Sequence, residues 1–164
     1  MTIDKNDLLN SILASISRVD YIKSADIPNI DLYMDQVTSF MEKELKSTKR
    51  YEDDKILTKT MINNYAKDNL LPAPVKKKYS KEHLLLLIFI YYFKNIMSMK
   101  DIEMLLSPIT ERYFDSESDV NMTRIYDEVC AFEKERTKLM MKDIETIYQS
   151  SNETFENVPE DDQK

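Results

Sequence analysis

Leu57-Thr58-Lys59-Thr60-Met61-Ile62-Asn63-Asn64-Tyr65-Ala66-Lys67-Asp68-Asn69-Leu70-Leu71-Pro72 contains a short helix, its stop signal and an extended exit. Thr58 is of the type that caps a helix through its side-chain oxygen, and Met61, Ile62 and Tyr65 then share one face. Lys59, Asn63, Asn64 and Lys67 are left pointing outward. Asn69 is the residue type after Gly best able to turn left-handed, so the helix stops there and Leu70-Leu71-Pro72 runs on extended. Pro72 and Pro74 stiffen the chain beyond it. Ala73 to Tyr79 is then a compact loop or tiny hairpin with three consecutive lysines, Lys76, Lys77 and Lys78.

Downstream, Ser80 is placed to cap a long helix with Glu82 in its first turn. That helix runs through Leu84 to Phe93 and on to about Met97, and its apolar circumference makes it the centre of a core. Ser98-Met99-Lys100-Asp101 opens another helix, with Ile102, Leu105 and Leu106 inward and an end before Pro108. After an acidic loop, apolar residues at spacings of three and four from Val120 to Tyr148 predict a long helix, either a dimer seam or a helix folded back on the core of its own chain. The acidic tail from Ser150 is expected to be disordered. Upstream, Ile27 to Asp31 reads as an extended entry to a helix over Leu32 to Leu45, with Tyr33, Val37, Phe40, Met41 and Leu45 inward. Lys46 to Lys55 reads as an exposed connection. Leu8, Leu9, Ile12, Leu13, Ile16 and Val19 predict an amphipathic helix over residues 5–18. The expected organisation is an all-α chain: an arm over 1–24, a core domain over 25–107, a C-terminal helix within 108–150 and a tail over 151–164.

The chain has 164 residues, enough for one domain with helical arms and too few for two catalytic domains. It contains no Gly, which excludes both the GxxxxGK phosphate loop and the GxGxxG dinucleotide turn, because each needs a backbone approach only Gly permits. With Cys130 as the only cysteine there is no intrachain disulfide and no thiolate zinc cluster, consistent with a reducing, cytoplasmic setting. The N-terminus has the pattern of neither a secretory signal nor an anchor, and Leu84 to Phe93 is about half the roughly 20 residues a membrane helix requires.

Net charge is −7, yet Ile56 to Lys81 carries six lysines against Asp68 alone. That segment is therefore +5 and the remainder −12, one basic region on an acidic body. His83 reads as a first-turn helix residue, Cys130 as a packed thiol, and Asp53-Asp54 as solvated charge. No convergent set of titratable groups appears, so neither an enzyme, a cofactor nor a metal site is expected.

Four ordered blocks resemble the DNA-binding domain of MerR-type transcriptional regulators. They are Met61 to Pro72, Lys76 to Glu82, the apolar helix Leu84 to Met97, and Ser98 to Leu106. With Ile30-Asp31-Leu32-Tyr33-Met34-Asp35-Gln36-Val37, the segment from Leu57 to Tyr65 also resembles a bacterial domain-of-unknown-function family, number 1836, itself regarded as MerR-like. The chain departs from MerR proteins in Asn63, where they usually carry Arg, and in a wing without Gly. The resemblance implies a winged helix-turn-helix, with the lysine loop as its wing, and a DNA-binding regulator acting as a homodimer. Asn63 and Asn64 are then candidates to read adenine edges. Thr58, Thr60, Lys59, Lys67, Lys76, Lys77 and Lys78 are candidates for phosphate, while Tyr79 either packs under the wing or touches phosphate. The alternative is a winged-helix module that binds an acidic protein instead of double-stranded DNA.

Overall fold

Leu84 to Ile90 leave no polar face, so a helix through them must be enclosed on all sides. In the computed structural model, which describes residues 4–17, 21–49 and 51–154, every residue from His83 to Tyr91 is buried. The chain divides into two compact units, Tyr21–Val129 and the pair Met1–Asp20 with Cys130–Lys164. The described helices are α1 (Lys5–Ser17), α2 (Met34–Leu45), α3 (Lys59–Lys67), α4 (Lys81–Phe93), α5 (Met99–Tyr113) and α6 (Met122–Thr154). Two short strands, β1 (Leu32–Tyr33) and β2 (Lys78–Tyr79), pair antiparallel. The protein is mostly helical.

In the first unit α4 is the axis. Val37, Met41 and Leu45 of α2, Ile62 and Tyr65 of α3, Ile102 and Leu106 of α5, and Met122 and Tyr126 of α6 are buried in the same core. Burying side chains of this size stabilises by about 1.5–3 kcal/mol each, before entropy is counted. Three polar bonds fasten the margins. The Tyr126 hydroxyl donates to the Ile22 carbonyl at 2.6 Å, Thr48 Oγ1 shares a hydrogen bond with the Tyr91 hydroxyl at 2.6 Å, and Lys94 Nζ donates to the Ile56 carbonyl at 2.7 Å. Burial lowers the Lys94 pKa, with Asp54 opposing.

Several boundaries differ from those the sequence predicts. Leu32 and Tyr33 form a strand, so α2 starts at Met34 and the Tyr33 ring is 54% exposed instead of inward. The connection after α2 is not all free: Lys46–Thr48 is a 3-10 turn anchored by the bond to Tyr91. Helix α4 ends at Phe93 instead of Met97, where the Lys94 side chain turns back to Ile56. Helix α5 continues through Pro108 to Tyr113, and Leu105 is exposed while Ile102 and Leu106 carry its buried side. Helix α6 runs to Thr154, past the expected start of the tail. Val19 and the tail beyond Thr154 lie outside the described residues.

In the second unit, α1 and the part of α6 from Cys130 onward contain no fully buried residue among those described. Leu9, Leu13 and Ile16 are the half-buried positions of α1. Glu133, Thr137, Met141, Ile144 and Tyr148 are such positions on α6, again at steps of three and four. The Tyr148 hydroxyl donates to Asn6 Oδ1 at 3.2 Å, joining the beginning of α1 to the end of α6.

Candidate nucleic-acid interface

Helix α3 is built as its sequence dictates. Thr58 Oγ1 accepts from the Met61 amide at 3.2 Å, the N-cap bond, so its acceptor is committed to the helix and the residue is half-buried. At the other end Asn69 has φ 57°, and the Leu70 and Leu71 amides both donate to the Tyr65 carbonyl. With Ile62 and Tyr65 buried, Lys59, Thr60, Asn63, Asn64 and Lys67 all face solvent. At about 100° per residue these five share one side of the helix.

The lysine loop is a two-residue hairpin turn. Lys76 and Lys77 have φ of 50° and 64°, and the Lys78 amide donates to the Val75 carbonyl at 2.9 Å. Positive φ at both central residues matches the right-handed twist of paired strands, and Asn-Gly normally supplies it. Here two lysines do so, at a cost of about 1–2 kcal/mol each. Both stand exposed at the tip, beside Val75 at 68% exposure.

Strand pairing then sets the sides. Leu32 opposes Tyr79 and Tyr33 opposes Lys78. The first pair is buried, so Tyr79, 3% exposed, does not belong to the solvent-facing surface. It packs edge-on to His83 with ring centroids 5.5 Å apart, and burial raises its pKa. The second pair faces out, with Lys78 Nζ 5.3 Å from the centre of the Tyr33 ring.

Tyr33, expected from the sequence to face inward, and Asp35, expected only as part of the family block, each contact one of the two basic elements. Lys59, at the start of α3, forms an ion pair with Asp35, and Lys78, at the base of the hairpin, lies over Tyr33. The first turn of α3 and the hairpin therefore converge on residues only two apart at the start of α2. The Asp35 pair is exposed on both sides, so it contributes little stability and is readily exchanged for another anion.

Beneath the hairpin, Ser80 and His83 form the reciprocal cap of α4. The Ser80 amide donates to His83 Nδ1 at 3.0 Å, which places the proton of the neutral ring on Nε2. The Pro72 and Ala73 carbonyls favour that proton, but neither reaches hydrogen-bonding geometry with the buried Nε2. Burial dominates and lowers the His83 pKa. Beside it is an open polar cleft of about 280 Å³, lined by Asn29, Ile30, Asp31, Ser80, Lys81, Glu82 and Thr123. Burial and a hydrogen bond to Asp115, whose φ is 56°, push Glu82 up to about 7. Among the described residues no three potential ligands gather as a metal site, and no helix is long and apolar enough to cross a membrane.

A family model described as "Domain of unknown function (DUF1836)" matches residues 22–129, nearly the same span as the first compact unit. No curated protein and no solved structure matches the chain.

Proposed function

Because the chain belongs to the DUF1836 family, which brings no activity with it, we propose from its surface chemistry that it is a DNA-binding regulator with a MerR-like winged helix-turn-helix. The observation that carries this reading is the convergence of α3 and the lysine hairpin at the start of α2. On this reading α3 enters the major groove, where Asn63 and Asn64 offer the paired donor and acceptor an adenine edge requires, about 1–3 kcal/mol of discrimination each. Lys67, Lys76 and Lys77 neutralise phosphates, joined by Lys59 and Lys78 once their contacts to Asp35 and Tyr33 are exchanged. Thr60 lies at the start of α3, where the unsatisfied amides of a helix end favour phosphate. A dimer supplies the second recognition helix that a useful site length requires.

The strain in the hairpin supports the reading. Two non-Gly residues in the left-handed region are costly, a cost more readily retained where their exposed ammonium groups serve a purpose at the tip. The contrary reading, a module for an acidic protein, draws on the same lysines and on the acidic remainder of the chain. Gel shift of random-sequence duplex DNA at low and moderate salt separates the two. Lys76→Glu, Lys77→Glu and Lys78→Glu together are expected to abolish the shift; equal shifts for wild type and triple variant would overturn DNA binding through this surface.

A further inference from the structure

Both legs of the lysine hairpin meet one imidazole. On the way out, Tyr79 packs edge-on to the His83 ring, and the Ser80 amide donates to Nδ1 at 3.0 Å, with Ser80 Oγ 2.8 Å from the same nitrogen. On the way in, the Pro72 and Ala73 carbonyls favour the proton on the ring. Phe114, at the end of α5, also meets the ring edge-on, with centroids 4.8 Å apart. His83 is 3% exposed and is the only histidine in the chain. We propose that His83 is an acid-sensitive latch: the neutral imidazole holds the hairpin against the start of α4, and protonation of Nδ1 releases it.

Nδ1 accepts only while its lone pair is free. Once protonated it is a donor set against the Ser80 amide, which can only donate, so the reciprocal cap of α4 is lost and a charge is enclosed besides. A capping box ordinarily has Glu or Gln at this third position, whose carbonyl oxygen accepts at any pH. Histidine makes the same cap conditional. The groups facing the ring do not rescue the imidazolium. Asp115 beyond α5 and Asp31 before β1 favour it, but burial outweighs both and lowers the His83 pKa. Glu82, its neighbour on α4, is pushed up to about 7 and so carries a proton where His83 would gain one. Tyr79 of β2 is neutral there, and Lys81 on the same helix has like charge. The tip favours release as well, because Lys76 and Lys77 are held in the left-handed region. Leu84 to Ile90 stay enclosed in the core, so the opening is local. The convergence of α3 and the hairpin at Tyr33 and Asp35 then exists only while His83 is neutral.

The latch concerns the hairpin itself and is tested on the full chain without DNA, so its failure and that of DNA binding are separate results. Glu82→Gln serves as the background, because it removes the neighbouring carboxyl that titrates in the same range. Proton NMR follows His83 as the single imidazole, whose titration is expected below 6.5. Hydrogen exchange of the Lys78 and Ser80 amides, corrected for the intrinsic effect of pH, reads the opening. Between about pH 7.5 and about pH 5.5 that opening is expected to grow by about 5- to 10-fold, as linkage to one proton requires. The Lys94 amide, bonded to the Ile90 carbonyl at the far end of α4, should keep its protection. His83→Gln, which retains a cap acceptor without titrating, should abolish the pH dependence, and His83→Asn takes its place if that variant does not fold. A His83 titration at or above 6.5, exchange at Lys78 and Ser80 that does not change over this range, or a gain that persists without the imidazole would overturn the proposal.

Discussion

The residues most exposed to question are the two lysines at the hairpin tip. Lys77→Gly removes a left-handed lysine and one ammonium together. It should therefore raise stability by about 1 kcal/mol in chemical denaturation while reducing the magnitude of the DNA salt slope by about 1. Lower stability would show that the turn is not of the kind described. Titration at the base of the hairpin gives a second prediction. Glu82 is pushed up to about 7, from an ordinary 4.5, first by burial and then by its bond to Asp115. The folded state therefore holds a proton that the unfolded chain has lost, a stabilisation complete below 4.5 and lost as pH rises through 7. His83 works oppositely: burial lowers its pKa, so stability falls as pH drops below 6.5. Glu82→Gln should raise the unfolding free energy at about pH 8 by about 1 kcal/mol after solvent screening, and leave it unchanged at about pH 4, as read from thermal unfolding at the two pH values. Equal shifts at both would rule out a raised Glu82 pKa. At this scale Asn69 was legible, because few residue types turn left-handed. The side on which Tyr79 falls was not, because a strand of two residues has no readable period.

Among elements, those with a local cause were readable and those with a distant one were not. Thr58 and Ile62 with Tyr65 define α3 within one short window, and Ser98 caps α5 with its hydroxyl accepting from the Asp101 amide at 3.2 Å. The strand Leu32–Tyr33 exists only because Lys78 and Tyr79 lie beside it, far along the chain, so the sequence reads there as the start of a helix. Pro108 misleads for the opposite reason. A proline predicts a helix end locally, yet α5 continues through it to Tyr113. Met104, the residue whose carbonyl it deprives of a donor, is 69% exposed and open to solvent. Pro108→Ala should consequently raise stability by about 1–3 kcal/mol in thermal or denaturant unfolding, and a loss would show that the proline is needed where it stands.

For the molecule as a whole, the matched family region and the first compact unit coincide, so the basic surface belongs to the part defining the family. The helical class was legible in apolar spacing and cap residues, and a lysine-rich segment on an acidic chain in charge order. That α3 and the hairpin meet at Tyr33 and Asp35 was not, since the meeting depends on the pairing of Leu32–Tyr33 with Lys78–Tyr79, far along the chain. On this surface about five lysines are available to phosphate, so duplex binding should release counterions in proportion. The most direct measurement is therefore fluorescence anisotropy with duplex DNA over a range of salt, plotted as log affinity against log salt concentration. A slope of about −4 to −5 for the wild type, collapsing for the Lys76, Lys77 and Lys78 triple substitution, is predicted; no measurable binding, or a slope unchanged by the substitution, would contradict it.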